Sequence, residues 1–311
     1  MKKQPCYPFR SERAKAEYEA LCLERVKTWP ASSETMTVET ASGWTFVRAC
    51  GRITDPPLVL LPGARVGSLM WTRHIAALSA HYRTYALDII GDVGFSVNRR
   101  EISKPEDLVN WLDEVLTVLV PERPVNLMGI SYGGWIAGQY ALRFPSRLRK
   151  VVLLAPGGTV LPFSFGFFVR IGLLCIPLPG LGGGPLRRTA GWLFRDSIRG
   201  SDASRALFEE TLVDLQRVWH LFDLPRPLWS TVLDDKAWQG FSVPCLYLVG
   251  ENEKIYSARK AVGRLKRVAP HVKAEIIPGA GHDLTMVQAD LVAGKVLAFL
   301  GERAGVTATA A

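Results

Sequence analysis

The segment Gly129-Ile130-Ser131-Tyr132-Gly133-Gly134 has the clearest chemical potential in this sequence. A serine hydroxyl is a weak nucleophile unless it is exposed and a neighbouring base takes its proton. A tight turn from a strand into a helix supplies the exposure. Such a turn crowds the positions on either side of the serine, where Gly129 and Gly133 leave room. The flanks predict that context. Val125-Asn126-Leu127-Met128 reads as a buried strand, and a helix opens after Ser131 and runs to Phe144, where Pro145 closes it. The chemistry such a serine offers is nucleophilic attack on a carbonyl carbon.

The serine needs a base, and the histidines are His74, His81, His220, His271 and His282. His282 lies in Gly279-Ala280-Gly281-His282, directly after the last predicted strand at 274–277, which brings it to the same sheet edge as Ser131. His74 and His81 fall in or after a surface-type helix, His220 falls in an inserted stretch, and His271 precedes the last strand, at the opposite edge. A carboxylate must hold the imidazole in one tautomer and stabilise its charged form. The loop after the strand at 245–249 offers Glu251 and Glu253, and Glu253, further past the strand end, has the reach. An oxyanion formed on attack needs two N–H donors. One is the backbone N–H of Tyr132, which also benefits from the positive end of the following helix. The other is Ala64 N–H, in the loop Pro62-Gly63-Ala64-Arg65 after the strand at 58–61.

The elements that must position these residues follow a regular alternation. Short continuous apolar runs at 58–61, 84–87, 125–128, 151–154 and 245–249 read as strands buried on both faces. Helical patterns at 69–81, 103–120, 131–144, 257–268 and 284–300 separate or follow them, and Ser103-Lys104-Pro105-Glu106 reads as a capping box. This pattern predicts an α/β fold, with a mostly parallel sheet flanked by helices on both faces. A leading helix at about 11–29 and a hairpin at 35–39 and 44–49 come first. The alternation stops near Pro156. Residues 157–240 are too long for a loop and read as a helical cap or lid inserted after the sixth strand, leaving 1–156 and 241–311 as the core. That insertion carries Phe163, Phe165, Phe167, Phe168, Trp192, Phe194, Trp219, Phe222 and Trp229, some of which would offer an apolar cover over the serine. Leu181-Gly182-Gly183-Gly184-Pro185 reads as a hinge and not as a phosphate loop, since no Gly-Lys-Ser/Thr follows.

Composition narrows the function classes. The formal net charge of +9 is spread among acidic residues with no run of basic ones, which argues against nucleic acid as a partner. The apolar stretch at 159–181 contains Arg170 and is broken by Pro162, Pro177 and Pro179, so no membrane span is expected. The lysines at the N-terminus lead into no apolar run, so no secretory signal is expected. The five cysteines show no metal-ligand spacing; Cys22, Cys50, Cys175 and Cys245 sit beside apolar residues, read as buried free thiols and point to a reducing cytoplasm. The tail at 304–311 reads as disordered.

These residues resemble the α/β-hydrolase superfamily over most of the chain outside the insertion. The order Ser131, Glu253, His282 is the nucleophile–acid–histidine order of that fold. The stretch 88–92 through Ser96 resembles the aspartate-glycine-serine loop after its fourth strand. Tyr82-Arg83-Thr84-Tyr85-Ala86-Leu87-Asp88-Ile89-Ile90-Gly91-Asp92, together with Gly250-Glu251-Asn252-Glu253, is similar to bacterial carboxylesterases of the naproxen-esterase type. Two departures stand out: Pro62 where many members have histidine, and Glu253 where most have aspartate. The resemblance implies a serine hydrolase acting without cofactor or metal on a small apolar ester. Carbon–carbon bond hydrolases, perhydrolases and acyltransferases share the same constellation, and non-catalytic binding proteins share the fold. Oligomeric state is not legible at this level.

Overall fold

A computed structural model describes residues 7–121, 123–174, 184–225 and 228–302. The strands, in chain order, are β1 (Ser33–Glu39), β2 (Gly43–Cys50), β3 (Pro57–Leu61), β4 (Arg83–Leu87), β5 (Val97–Asn98), β6 (Val125–Ile130), β7 (Leu148–Leu154), β8 (Cys245–Gly250) and β9 (Lys273–Ile277). They form one sheet in the order β1-β2-β4-β3-β6-β7-β8-β9, with β5 paired to β2. β1, β4 and β5 each pair antiparallel to β2. Every other pairing in the sheet is parallel. β3 lies between β4 and β6, so strand order reverses around it. The carboxyl ends of β3 and β6 therefore open side by side at a switch point, where open α/β sheets place their sites.

Helices α1 (Glu12–Val26), α2 (Thr72–Ser79), α3 (Pro105–Leu119) and α4 (Tyr132–Arg143) come first. α5 (Phe165–Leu174), α6 (Gly184–Leu193), α7 (Arg195–Arg199), α8 (Asp202–Leu221) and α9 (Asp235–Gln239) lie between β7 and β8. α10 (Ala258–Val268), α11 (Leu284–Val287) and α12 (Ala289–Gly301) close the order. The apolar runs of the strands are continuous because both faces are covered. Val59, Leu61, Leu127, Val151 and Leu153 pack with α3, α4 and α10. Their neighbours Leu58, Leu60, Met128, Val152 and Leu154 pack with α2 and α12. Lys150, pointing to that second face, donates to the carbonyls of Phe299 at 2.5 Å and Leu300 at 3.3 Å, which closes the end of α12.

Several sequence expectations shift in register or place. β5, too short to show in the sequence, makes the strand ahead of the insertion the seventh and not the sixth. The helix expected at 284–300 breaks into α11 and α12 at Gln288. The capping carboxylate of α3 is Asp107 and not Glu106: it accepts from the N–H groups of Ser103 (2.9 Å) and Lys104 (3.1 Å). α2 is not a surface helix throughout, because His74 is buried edge-on to Trp71 with neither ring nitrogen paired among the described residues. Burial pushes its pKa down to about 4, so it sits there neutral. Phe222 does not face the serine. It packs with Phe9 and Tyr18, in a cluster that fixes the N-terminal segment to the end of α8. Arg25 adds ion pairs to Glu210 and Asp214 across the same contact. The glycines at 182–183, Pro177, Pro179, Cys6, Cys175 and the tail at 304–311 lie outside the described residues.

Candidate active site

Ser131 stands between β6 and α4 with φ 52° and ψ −112°, a backbone conformation that side-chain-bearing residues rarely adopt. The surroundings impose it. Ser131 N–H donates to Leu154 O at 2.9 Å, and Ser131 O accepts from Trp135 N–H at 3.0 Å and Gly157 N–H at 3.1 Å. The glycines of the motif are sterically required. A Cβ on Gly129 would lie 2.2 Å from Gly133 O, and one on Gly133 would lie 2.4 Å from the carbonyl oxygens of both Leu61 and Pro62. The turn thus pushes the hydroxyl out past the carboxyl end of the sheet.

His282 and Glu253 arrive from the loops after β9 and β8. Ser131 Oγ–H donates to His282 Nε2 at 2.9 Å, and His282 Nδ1–H donates to Glu253 Oε2 at 2.9 Å. This network selects the tautomer with the proton on Nδ1. The other carboxylate oxygen of Glu253 accepts the N–H groups of Lys254 at 2.8 Å and Ile255 at 2.9 Å, so the carboxylate cannot swing away. The two loops are laced together: Glu251 N–H donates to Ile277 O at 2.9 Å and Asn252 N–H to Ala280 O at 2.8 Å. Burial alone would lower the His282 pKa. The Glu253 carboxylate, through charge and hydrogen bond, and then the Asp283 charge outweigh it, and the net shift is upward from 6.5. Glu251, the other acid in the β8 loop, accepts instead from Gly279 N–H at 3.4 Å. His271 bonds Phe241 O at 2.7 Å, at the far edge of the sheet.

Backbone donors around the serine can be sorted by where each points. Pro62 has no N–H, Gly63 N–H meets Met70 Sδ at 3.2 Å, and Gly133 N–H donates to Pro62 O at 3.0 Å. Arg65 N–H donates to the Asp92 carboxylate at 3.1 and 3.2 Å. Among the described residues, no acceptor meets the N–H of Ala64 or of Tyr132. The Asp92 contact was not evident in the sequence. Arg65 sits at φ 63°, a strained turn that Asp92 holds from below while Arg65 Nη2 donates to Pro225 O of the insertion at 2.7 Å. Burial is the largest influence on Asp92 and leaves its pKa raised despite the Arg65 charge.

Gly157, the first residue of the insertion, lies beside the serine: a Cβ there would lie 3.8 Å from Ser131 Oγ and 3.5 Å from the Phe163 ring. From Phe163 the aromatic rings continue outward, stacked on Phe167 at 4.8 Å and edge-on to Phe168 at 5.8 Å and Trp229 at 5.9 Å. Trp192 stands apart, beneath the Arg170 guanidinium at 4.4 Å. A groove of about 480 Å³ between α1 and α8, lined in part by Arg13, Glu17, Arg217 and His220, shares no residue with this site. Among the described residues, no group of three or more His, Cys, Asp or Glu stands together as metal ligands do, and no helix is long and apolar enough to cross a membrane.

A mostly parallel sheet with a strained serine at a glycine-lined strand–helix turn defines a class of protein. The chain belongs to the Alpha/beta hydrolase family, which it matches over residues 58–295. Among particular relatives, it is 32% identical over 289 residues to the Bacillus subtilis (strain 168) protein named uncharacterized carboxylesterase nap, covering 91% of this chain and 92% of that one. It is 31% identical over 283 residues to carboxylesterase YbfK of the same organism, covering 89% of this chain and 91% of that one. The crystal structure of naproxen esterase (carboxylesterase NP) from Bacillus subtilis superposes with a TM-score of 0.82 at 30% identity, covering 94% of this chain and 100% of that one.

Proposed function

We propose that this chain is a carboxylesterase that cleaves small esters with an apolar acyl or alcohol part through an acyl-enzyme on Ser131. The observation that carries the reading is the unbroken hydrogen-bond chain from Ser131 Oγ through His282 to Glu253, with both links at 2.9 Å. As Ser131 Oγ attacks the carbonyl carbon, its proton passes to His282 Nε2. The new oxyanion takes hydrogen bonds from Ala64 N–H and Tyr132 N–H, and the lack of another acceptor for either among the described residues supports that role. The imidazolium, stabilised by Glu253, then gives its proton to the departing alkoxide oxygen as the ester C–O bond breaks. Water enters, gives a proton to Nε2 and attacks the acyl carbon, and the proton returns to Ser131 as the acid leaves. Glutamate serves in place of aspartate because its second oxygen is pinned by two backbone N–H groups.

Residues 157–240 act as a cap over this site, and the Phe163 ladder beside Gly157 supports an apolar substrate. The buried free thiols of Cys22, Cys50 and Cys245 support a reducing, cytoplasmic setting. The test is hydrolysis of p-nitrophenyl esters of increasing acyl length. Wild type turns them over, while Ser131→Ala and His282→Ala each lose at least about a thousandfold in kcat. Turnover that survives Ser131→Ala contradicts the reading, and formation of a transfer product with an added alcohol at the expense of acid would shift it to an acyltransferase.

A further inference from the structure

The insertion returns to the catalytic edge of the sheet at α7, and two of its residues meet the loops that carry His282 and Glu253. Ser197, wholly buried, donates from its backbone N–H at 2.7 Å and its Oγ at 2.6 Å to Asp283 Oδ2. The other oxygen of Asp283 accepts Gly281 N–H at 3.1 Å. Both neighbours of His282 in the chain are therefore tied into one buried network that ends on α7. Beside it, Asp196 Oδ1 accepts from Asn252 Nδ2 at 3.1 Å, and Asn252 is the residue before Glu253. A Cβ on Gly281 would lie 3.0 Å from Asp196 Oδ2, so the α7 carboxylate occupies the space a side chain would need.

None of Asp196, Ser197, Asn252 and Asp283 has a part in the reaction steps above. Asp196 and Asp283 are moreover like charges held close. Burial, then the Asp283 charge, raises the Asp196 pKa, with Asn252, Arg195 and Lys254 working the other way. Such an arrangement is unfavourable in isolation, yet each Asp283 oxygen finds a donor. Resting on the carboxylesterase reading, we infer that α7 is a positioning element. Through Asp283–Ser197 and Asp196–Asn252 it sets the two loops so that His282 lies between Ser131 and Glu253. The insertion on this account completes the proton relay as well as covering it.

Ser197→Ala, Asp283→Asn and the double variant test this, by p-nitrophenyl butyrate kinetics and by proton NMR of the His282 Nδ1–H signal. A small displacement of a relay group is enough to cost about tenfold or more in kcat, with KM held within about twofold. The double variant falls no further than Asp283→Asn alone, because the Ser197 hydroxyl acts through the Asp283 carboxylate. The Nδ1–H signal exchanges with water faster in each variant. Asp283→Asn also lowers the His282 titration midpoint, since of the two carboxylates whose charge acts on the ring, Glu253 and Asp283, it removes one. Ser197→Ala keeps the backbone donor at 2.7 Å and decides the matter if Asp283→Asn does not fold. Both singles with wild-type kcat and a wild-type Nδ1–H signal overturn the inference. Wild type that hydrolyses no ester overturns the carboxylesterase reading instead, while the NMR signal in Ser197→Ala still decides whether α7 holds the imidazole.

Discussion

At the residue scale the proposed base is His282, and on that reading its charge state sets the pH response. Only the neutral imidazole can accept the Ser131 proton. With the His282 pKa raised above 6.5 by Glu253 and Asp283, activity is absent well below that midpoint and appears as pH rises through it. A kcat/KM profile should therefore show an ascending limb centred above 6.5. Glu253→Gln removes the largest favourable charge, so its limb moves to lower pH while kcat/KM drops by about a hundredfold or more, because the tautomer is no longer enforced. An unmoved limb in that variant would mean that Glu253 is not the group that tunes the imidazole. The sequence named Ser131, Glu253 and His282 because each follows a strand end in the order the fold demands. It did not show Asp283, which adjoins the histidine but whose part depends on Ser197, a partner 86 positions away.

At the element scale the turn between β6 and α4 leaves no room for a side chain at Gly129 or Gly133. Gly133→Ala drives a Cβ to within 2.4 Å of two backbone carbonyls that cannot move without dragging β3. It should cost about 1–3 kcal/mol in stability, together with most of the activity. Gly263 in α10 and Gly294 in α12 have open space, with nothing within 4 Å of where a Cβ would stand, so alanine at either should stabilise by about 0.5–1 kcal/mol through helix propensity alone. Urea unfolding of the three variants checks both signs, and a Gly133→Ala protein as stable as wild type would contradict the steric account. The strands were legible because burial on both faces forces continuous apolar runs, and period alone reveals those. β5 was not, since two residues carry no period. The break at Gln288 and the shift of the α3 cap to Asp107 were missed because helix ends depend on which side chain reaches a free N–H.

At the scale of the whole molecule, the insertion is held at several points. The N-terminal segment clamps the end of α8 through Phe9, Tyr18 and Phe222. Arg65 reaches Pro225 from the loop that carries Ala64, and α7 meets the His282 and Glu253 loops. The length of the insertion and its aromatic content were plain in the sequence. Which aromatics face the serine was not. Phe163 borders Gly157, whereas Phe222 belongs to the N-terminal cluster and Trp192 lies under Arg170, and only tertiary packing separates these fates. On this reading the whole assembly arms one serine. Intact-mass and peptide-mapping analysis after treatment with a fluorophosphonate tests it most directly. A single adduct on Ser131 is expected, formed by the wild type and lost in His282→Ala. An adduct on another residue, or a wild-type protein left unmodified, would contradict it.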